Sequence, residues 1–350
     1  MINFGSSRRT VATVQKIALL ATVTLSIPAA HANATFNMIA EPGTPQFAID
    51  GFNTAAAMWS SVIGNNVTFN IQIGYMSLGA GVIGETSSSF IEASYSATLQ
   101  ALQSRRTSAD DFSSYASLQS GSSFSRLINL TSDSPHGSGS VTPYLDSMDR
   151  IGLTTANAKV LGLHPEDSSI DAVIRFSSDF SFHFEPFGPV SGSAMDFIGV
   201  AAHEIGHALG FSSGVDDIDY FAGVYPAGDF SSNLIDLFRY SELSLSLGAG
   251  VSDYTADGRD KFFSADGGAT ELALFSNGTF YGDGNQASHW RDNLGIGLLD
   301  PTADFGERLV LSDVDRRMLD VMGYTIVPEP GIGGFCALAL TFSLLRMRRR

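Results

Sequence analysis

Residues 196–211 read DFIGVAAHEIGHALGF, and the fold of the chain turns on how that stretch is read. His203 and His207 stand four residues apart, with Glu204 beside the first of them. On an α-helix, positions four apart share a face, so both imidazoles can reach one metal ion. Neutral imidazole suits zinc, with Zn–N bonds of about 2.0–2.1 Å. Glu204 is set about 100° round the helix axis. Off the ligand line, its carboxylate is free to take a proton from a metal-activated water as that water attacks a carbonyl. The preceding run FIGVAA (197–202) is apolar, as a buried helix must be, and Gly210 supplies a residue able to turn left-handed and end it. The alternative is an amphipathic helix with two accidental histidines. With 7 His and 10 Glu in 350 residues, random placement yields roughly 0.004 such motifs per chain, which weighs against accident.

A catalytic zinc takes three protein ligands, and spacing alone does not fix the third. Of the other histidines, His31 lies in an N-terminal leader, His136 in a Ser/Gly-rich loop and His164 before Pro165. His183, His289, Glu242 and the aspartates Asp216, Asp217 and Asp219 stay open as ligands. The aspartates also suit calcium or a solvated acidic turn. Cys336, the single cysteine, falls near the C-terminus, so residues before it hold no disulfide, no thiol nucleophile and no cysteine switch.

At His203 to Phe211 the chain resembles the metzincin-type metalloproteases, whose pattern is H-E-x-x-H-x-x-G-x-x-H. The third histidine of that pattern falls here on Ser213. Leishmanolysin-like proteases depart in the same way, an insertion separating the glycine from the last histidine. The chain resembles them again at Ser288-His289-Trp290, and this implies that His289 is the third zinc ligand. Four stretches carry a similarity to bacterial leishmanolysin-like proteases: DFIGVAAHEIGHALGFSSGVD (196–216), FFSADGG (262–268), QASHWRD (286–292) and GLLDPTADFGE (297–307). The resemblance covers the second half well and the first half loosely. It places Leu299 where a metzincin has its methionine turn, a swap of similar volume.

Both ends read as address labels. Residues 1–34 have a basic start (Arg8, Arg9, Lys16), an apolar run over 17–27 and small-residue cleavage sites at Ala30-His31-Ala32 and Ala32-Asn33-Ala34, the pattern of a signal peptide. Residues 327–350 run Val-Pro-Glu-Pro-Gly, then an apolar stretch, then Arg346-Met347-Arg348-Arg349-Arg350. This resembles the PEP-CTERM sorting signal of Gram-negative bacteria. The resemblance implies export, transient membrane contact through the tail and cleavage by an exosortase-type enzyme. Residues 35–326 between them carry 13 Lys+Arg against 35 Asp+Glu, a formal charge of −22. So acidic a surface argues against nucleic acid or anionic lipid as partner.

Patterning along 35–326 predicts a helix over 52–63, a strand over 67–76, a helix over 89–104, a Ser/Gly-rich excursion over 107–142, and one or two strands over 171–184. After the 194–211 helix come a helix over 231–241, a strand over 269–275 and a capped helix over 312–322. The expectation is an α+β fold. The resemblance refines it to a metzincin-like zincin domain, an N-terminal sheet-bearing lobe and an irregular C-terminal lobe flanking the active-site helix. An edge strand from within 171–184 would pair with an extended peptide or protein substrate. The implied activity is zinc metalloendopeptidase, with Zn2+ on His203, His207 and His289, and Glu204 as catalytic base. A non-catalytic matrix or adhesion protein, or a zinc hydrolase of a non-peptide amide or ester, are the other readings.

Overall fold

Three parallel strands and one antiparallel edge make the main sheet of the computed structural model, which describes residues 33–79 and 81–327. In chain order the first half holds β1 (Thr35–Ala40), α1 (Gln46–Val62), β2 (Thr68–Met76), β3 (Gly84–Ser88), β4 (Phe90–Ser94), α2 (Tyr95–Arg105), α3 (Ala109–Ser117), β5 (Phe124–Ile128), β6 (Tyr144–Met148), β7 (Arg150–Thr154), α4 (Thr155–Leu161) and β8 (Ala172–Ser177). The sheet order is β1-β2-β8-β3, with β1, β2 and β8 parallel and β3 antiparallel to β8. Strand β2 is central because alternate residues of TFNIQIGYM, namely Phe69, Ile71 and Ile73, are all buried. The edge strands are β1 and β3, and β3 is the one beside α5. Of the strands within 171–184, Ala172–Ser177 lies inside the sheet because β3 covers its free side, while Phe182–His183 stands at an edge in a separate two-stranded sheet.

A second pair of short strands, β9 (Phe182–His183) and β10 (Met195–Asp196), leads into α5 (Phe197–Ala208). Helix α5 packs against α1 and passes beside β3. Phe197 anchors its start among Phe52, Phe176 and Phe184, with ring centroids 5.1, 4.8 and 4.5 Å away. The Trp59 indole of α1 donates to the Ala202 carbonyl at 2.8 Å, and Tyr324 donates to the Leu209 carbonyl at 2.6 Å, so the middle and the C-terminal end of α5 are tied to the core. Beyond α5 the chain is mostly turns and two- or three-residue strands, broken by α6 (Val215–Tyr220), α7 (Glu242–Leu247) and α8 (Asp313–Val321). The described residues form an α+β fold with eight α-helices and several small mixed sheets. None of those helices is long and apolar enough to cross a membrane.

Several elements differ from expectation. The predicted helix over 89–104 is strand for its first part, because β4 pairs with β7 and the helix starts only where Ser94 accepts the Ala97 N–H as a cap. The 107–142 excursion contains α3, opened by a Ser108–Asp111 capping box, and β5. The 231–241 helix is a 3-10 turn, Leu234–Phe238, between two short strands. The 269–275 strand shrinks to Ala273–Leu274. Helix α8 begins as predicted, with Ser312 and Asp315 forming a capping box.

The segments read as signal peptide (1–34) and sorting tail (327–350) lie outside the described residues except for Asn33, Ala34 and Val327. Ala34 is 2% exposed and donates its N–H to Ile63 at 3.1 Å, and Val327 donates its N–H to Val62 at 2.8 Å. Those two residues are bonded into the fold.

Candidate metal centre

Helix α5 presents His203 and His207 on one face, and its C-terminus turns away at Gly210, whose φ of +110° favours glycine. Their Nε2 atoms lie 3.1 Å apart, and the Nε2 of His289 sits 3.2 Å from each. Among the described residues this is the one group of three or more His, Cys, Asp or Glu side chains able to share a metal ion. Tetrahedral zinc with bonds of about 2.0–2.1 Å needs ligand nitrogens about 3.3–3.4 Å apart. The triangle fits that demand.

The opposite nitrogens fit the triangle for a cation. Nδ1 of His203 faces the Leu298 carbonyl at 2.9 Å, Nδ1 of His207 the Phe211 carbonyl at 2.6 Å, and Nδ1 of His289 the Gln286 carbonyl at 3.2 Å. A carbonyl only accepts, so each Nδ1 carries the hydrogen and each neutral ring turns a bare Nε2 lone pair inward. Three lone pairs converging at such distances make a set that a metal ion could bind. Burial, reinforced by the neighbouring imidazoles, holds His207 down to about 3 and His289 well below the ordinary histidine range. Both rings favour the unprotonated form that a metal ion would require.

Glu204 points into the same space, 9% exposed. Thr86, on edge strand β3, donates its hydroxyl to Glu204 Oε2 at 2.5 Å and lies 3.2 Å from the Glu204 carbonyl. Burial raises the Glu204 carboxyl, while His203 and the Thr86 hydroxyl pull it down. The other oxygen, Oε1, comes close to Gly84, where a side chain would find it at 3.4 Å and the Phe176 ring at 2.9 Å. Glycine at that position leaves room for the Phe176 ring, so the strand can lie beside the carboxylate. Thr86 and Gly84 escaped the sequence reading, because their approach depends on a strand pairing that no local pattern announces.

Leu299 lies 1% exposed beneath the helix turn that carries both histidines, its methyls 3.1 Å from where a side chain on Gly206 would begin. Its carbonyl accepts the Trp290 N–H at 2.9 Å, which ties the turn to the residue after His289. Trp290 is core: it stacks on Phe275 and donates its indole to Asp315 at 2.8 Å.

The other candidates are not brought to the triangle. His183 belongs to β9, and Glu242 is exposed on the first turn of α7. Ser213 is bonded through its hydroxyl to Asp236 at 2.6 Å. Asp219 accepts the Phe280 and Tyr281 N–H groups, both at 2.8 Å, and Asp216 accepts from residues 287 and 288. Those two carboxylates serve the backbone, and no calcium cage forms among them. Asp217 lines the cleft.

That cleft, about 870 Å³, runs from β3 to residues 300–303 across the three histidines and Glu204. Asp217, Asp229 and Asp300 line it, with Glu85, which Arg175 pairs at 3.7 Å, and Glu92, which Arg150 pairs at 2.9 Å. No Lys or Arg is among its described lining residues. No protein-family model, curated protein or solved structure matches the chain.

Proposed function

We propose that the chain is an exported zinc metalloendopeptidase of metzincin-like architecture, similar to the leishmanolysin-like proteases. The observation that carries the reading is the triangle of inward Nε2 atoms with a buried carboxylate next to it in sequence and facing the same cleft. Held by His203, His207 and His289, zinc would acidify a water and polarise the scissile carbonyl. Glu204 takes the proton of the attacking water on the oxygen that Thr86 leaves free, then passes it to the leaving amine. An extended substrate adds to the free edge of β3 by strand pairing, which lays its backbone along the cleft beside Glu204.

The test is direct. Purified protein should hold one zinc per chain and digest casein. A chelator should abolish digestion, and added zinc should restore it. Metal without proteolysis points to a hydrolase of another amide or ester, and neither metal nor proteolysis points to a binding protein.

The acidic lining gives a second expectation. Peptides with Arg or Lys near the scissile bond should be cut about two- to fivefold faster per charge than their Glu counterparts. The gap should narrow as salt rises and the Debye length contracts. Equal rates at low salt would remove any role for the lining in selection.

For export, cleavage after Ala32 leaves the Ala34 contacts with the core intact, whereas cleavage after Ala34 removes them. We therefore place the mature N-terminus at Asn33, with exosortase-type removal of the tail beyond Val327.

A further inference from the structure

His289 lies 82 residues beyond His207, and something must return it to the helix with sub-ångström accuracy. The chain leaves α5 at Gly210 and reaches α6 within a few residues. There Asp216 turns its carboxylate onto the far end of the excursion. Oδ1 accepts the Ala287 N–H at 2.6 Å, and Oδ2 accepts the Ser288 N–H at 3.2 Å together with the Ser288 hydroxyl. The Ser288 oxygen in turn accepts the Ser213 N–H at 2.8 Å. The turn holding Ser213 is itself fixed by Asp236, which accepts from the Ser213 hydroxyl at 2.6 Å, from Gly214 N–H at 3.0 Å and from Asn233 N–H at 2.8 Å.

We propose that Asp216 is the positioning residue for His289, closing the 214–288 excursion onto its own start so that the third imidazole meets the other two. The inference rests on the zinc reading above. Asp216 does not belong to the ligand triangle; it acts through the two residues that precede His289. A carboxylate suits the task because it accepts only. It can take two backbone N–H groups and a hydroxyl at once, where an amide would set its own N–H against one of those donors. On the other flank, the Ser276 N–H donates to the His289 carbonyl at 3.0 Å, and the buried Arg239 donates to the Ser276 carbonyl at 2.7 Å. His289 is thus held from both sides, and the Asp216 side is the one tied directly to the end of the histidine helix.

Zinc affinity of the full chain, measured by competition with a chelator, tests this. Asp216→Asn should weaken zinc binding by about 10–100-fold, the usual cost of losing a partner that orients a ligand. The visible spectrum of the cobalt-substituted protein should change as well. Asp219→Asn is the control: it sets an amide N–H against one of the two backbone donors that Asp219 holds in the same excursion, without touching 287–289, and should bind zinc within threefold of wild type. Should Asp216→Asn fail to fold, Ser288→Ala cuts the same latch at its hydroxyl and should lower affinity by at least threefold. Wild-type affinity in the folded latch variant, or equal losses in Asp216→Asn and Asp219→Asn, overturns the proposal alone. A wild-type chain that binds no zinc overturns the metal centre and this inference with it.

Discussion

Glu204→Gln should retain a full equivalent of zinc and the native fold, while hydrolysis should fall by about 10²–10⁴. The substitution keeps the side-chain volume, and the amide oxygen can still accept from Thr86, which bonds Glu204 Oε2 at 2.5 Å. Burial works against the charged form of Glu204, so a neutral amide in its place does not strain the fold. What disappears is the ability to take and return a proton. Zinc content, thermal unfolding and kcat on one peptide, measured together, check the separation of roles. Activity within threefold of wild type would remove Glu204 from the reaction.

His289→Ala should lose zinc. Structural zinc sites bind with about 10–16 kcal/mol. Even at the low end, an equal share for one of three ligands is about 3 kcal/mol, on the order of a hundredfold in affinity. The Nε2 of His289 is 3.2 Å from each of the other two, and no further His, Cys, Asp or Glu among the described residues is placed to substitute. Proteolysis should vanish in parallel. His183→Ala and Glu242→Ala should bind zinc like wild type, since neither residue belongs to the triangle. Chelator competition on the three variants reads the result, and comparable losses in His183→Ala and His289→Ala would break the assignment.

The helix and its two histidines were legible in the sequence because a four-residue spacing is local information. The third imidazole was reachable only by resemblance and by discarding other histidines, since its approach closes a loop of 82 residues. Thr86 and Asp216 were not legible as partners of the site. Each acts across a long separation, 118 residues from Thr86 to Glu204 and 72 from Asp216 to Ser288, and hydroxyls and carboxylates are too common to stand out. The aspartates of 216–219 drew attention as metal ligands, and two of them proved to be backbone clamps. The clearest misreading of an element came at FIEAS (90–94). So short a run fits either periodicity, and pairing with β7, some sixty residues away, made it a strand.

Strand β3 has one further consequence, for how the molecule keeps to itself. An unpaired sheet edge that welcomes an extended chain also offers a template to the same edge of another copy, the first step of runaway association. Here the edge spans only Gly84–Ser88, begins with a glycine and carries the Glu85 carboxylate on a sheet margin facing an acid-lined cleft. Two such margins brought together would oppose negative charge with negative charge along a stretch too short to repay it. A single flexible strand with a basic side chain meets no such opposition, so the feature that would admit a substrate also turns away a twin.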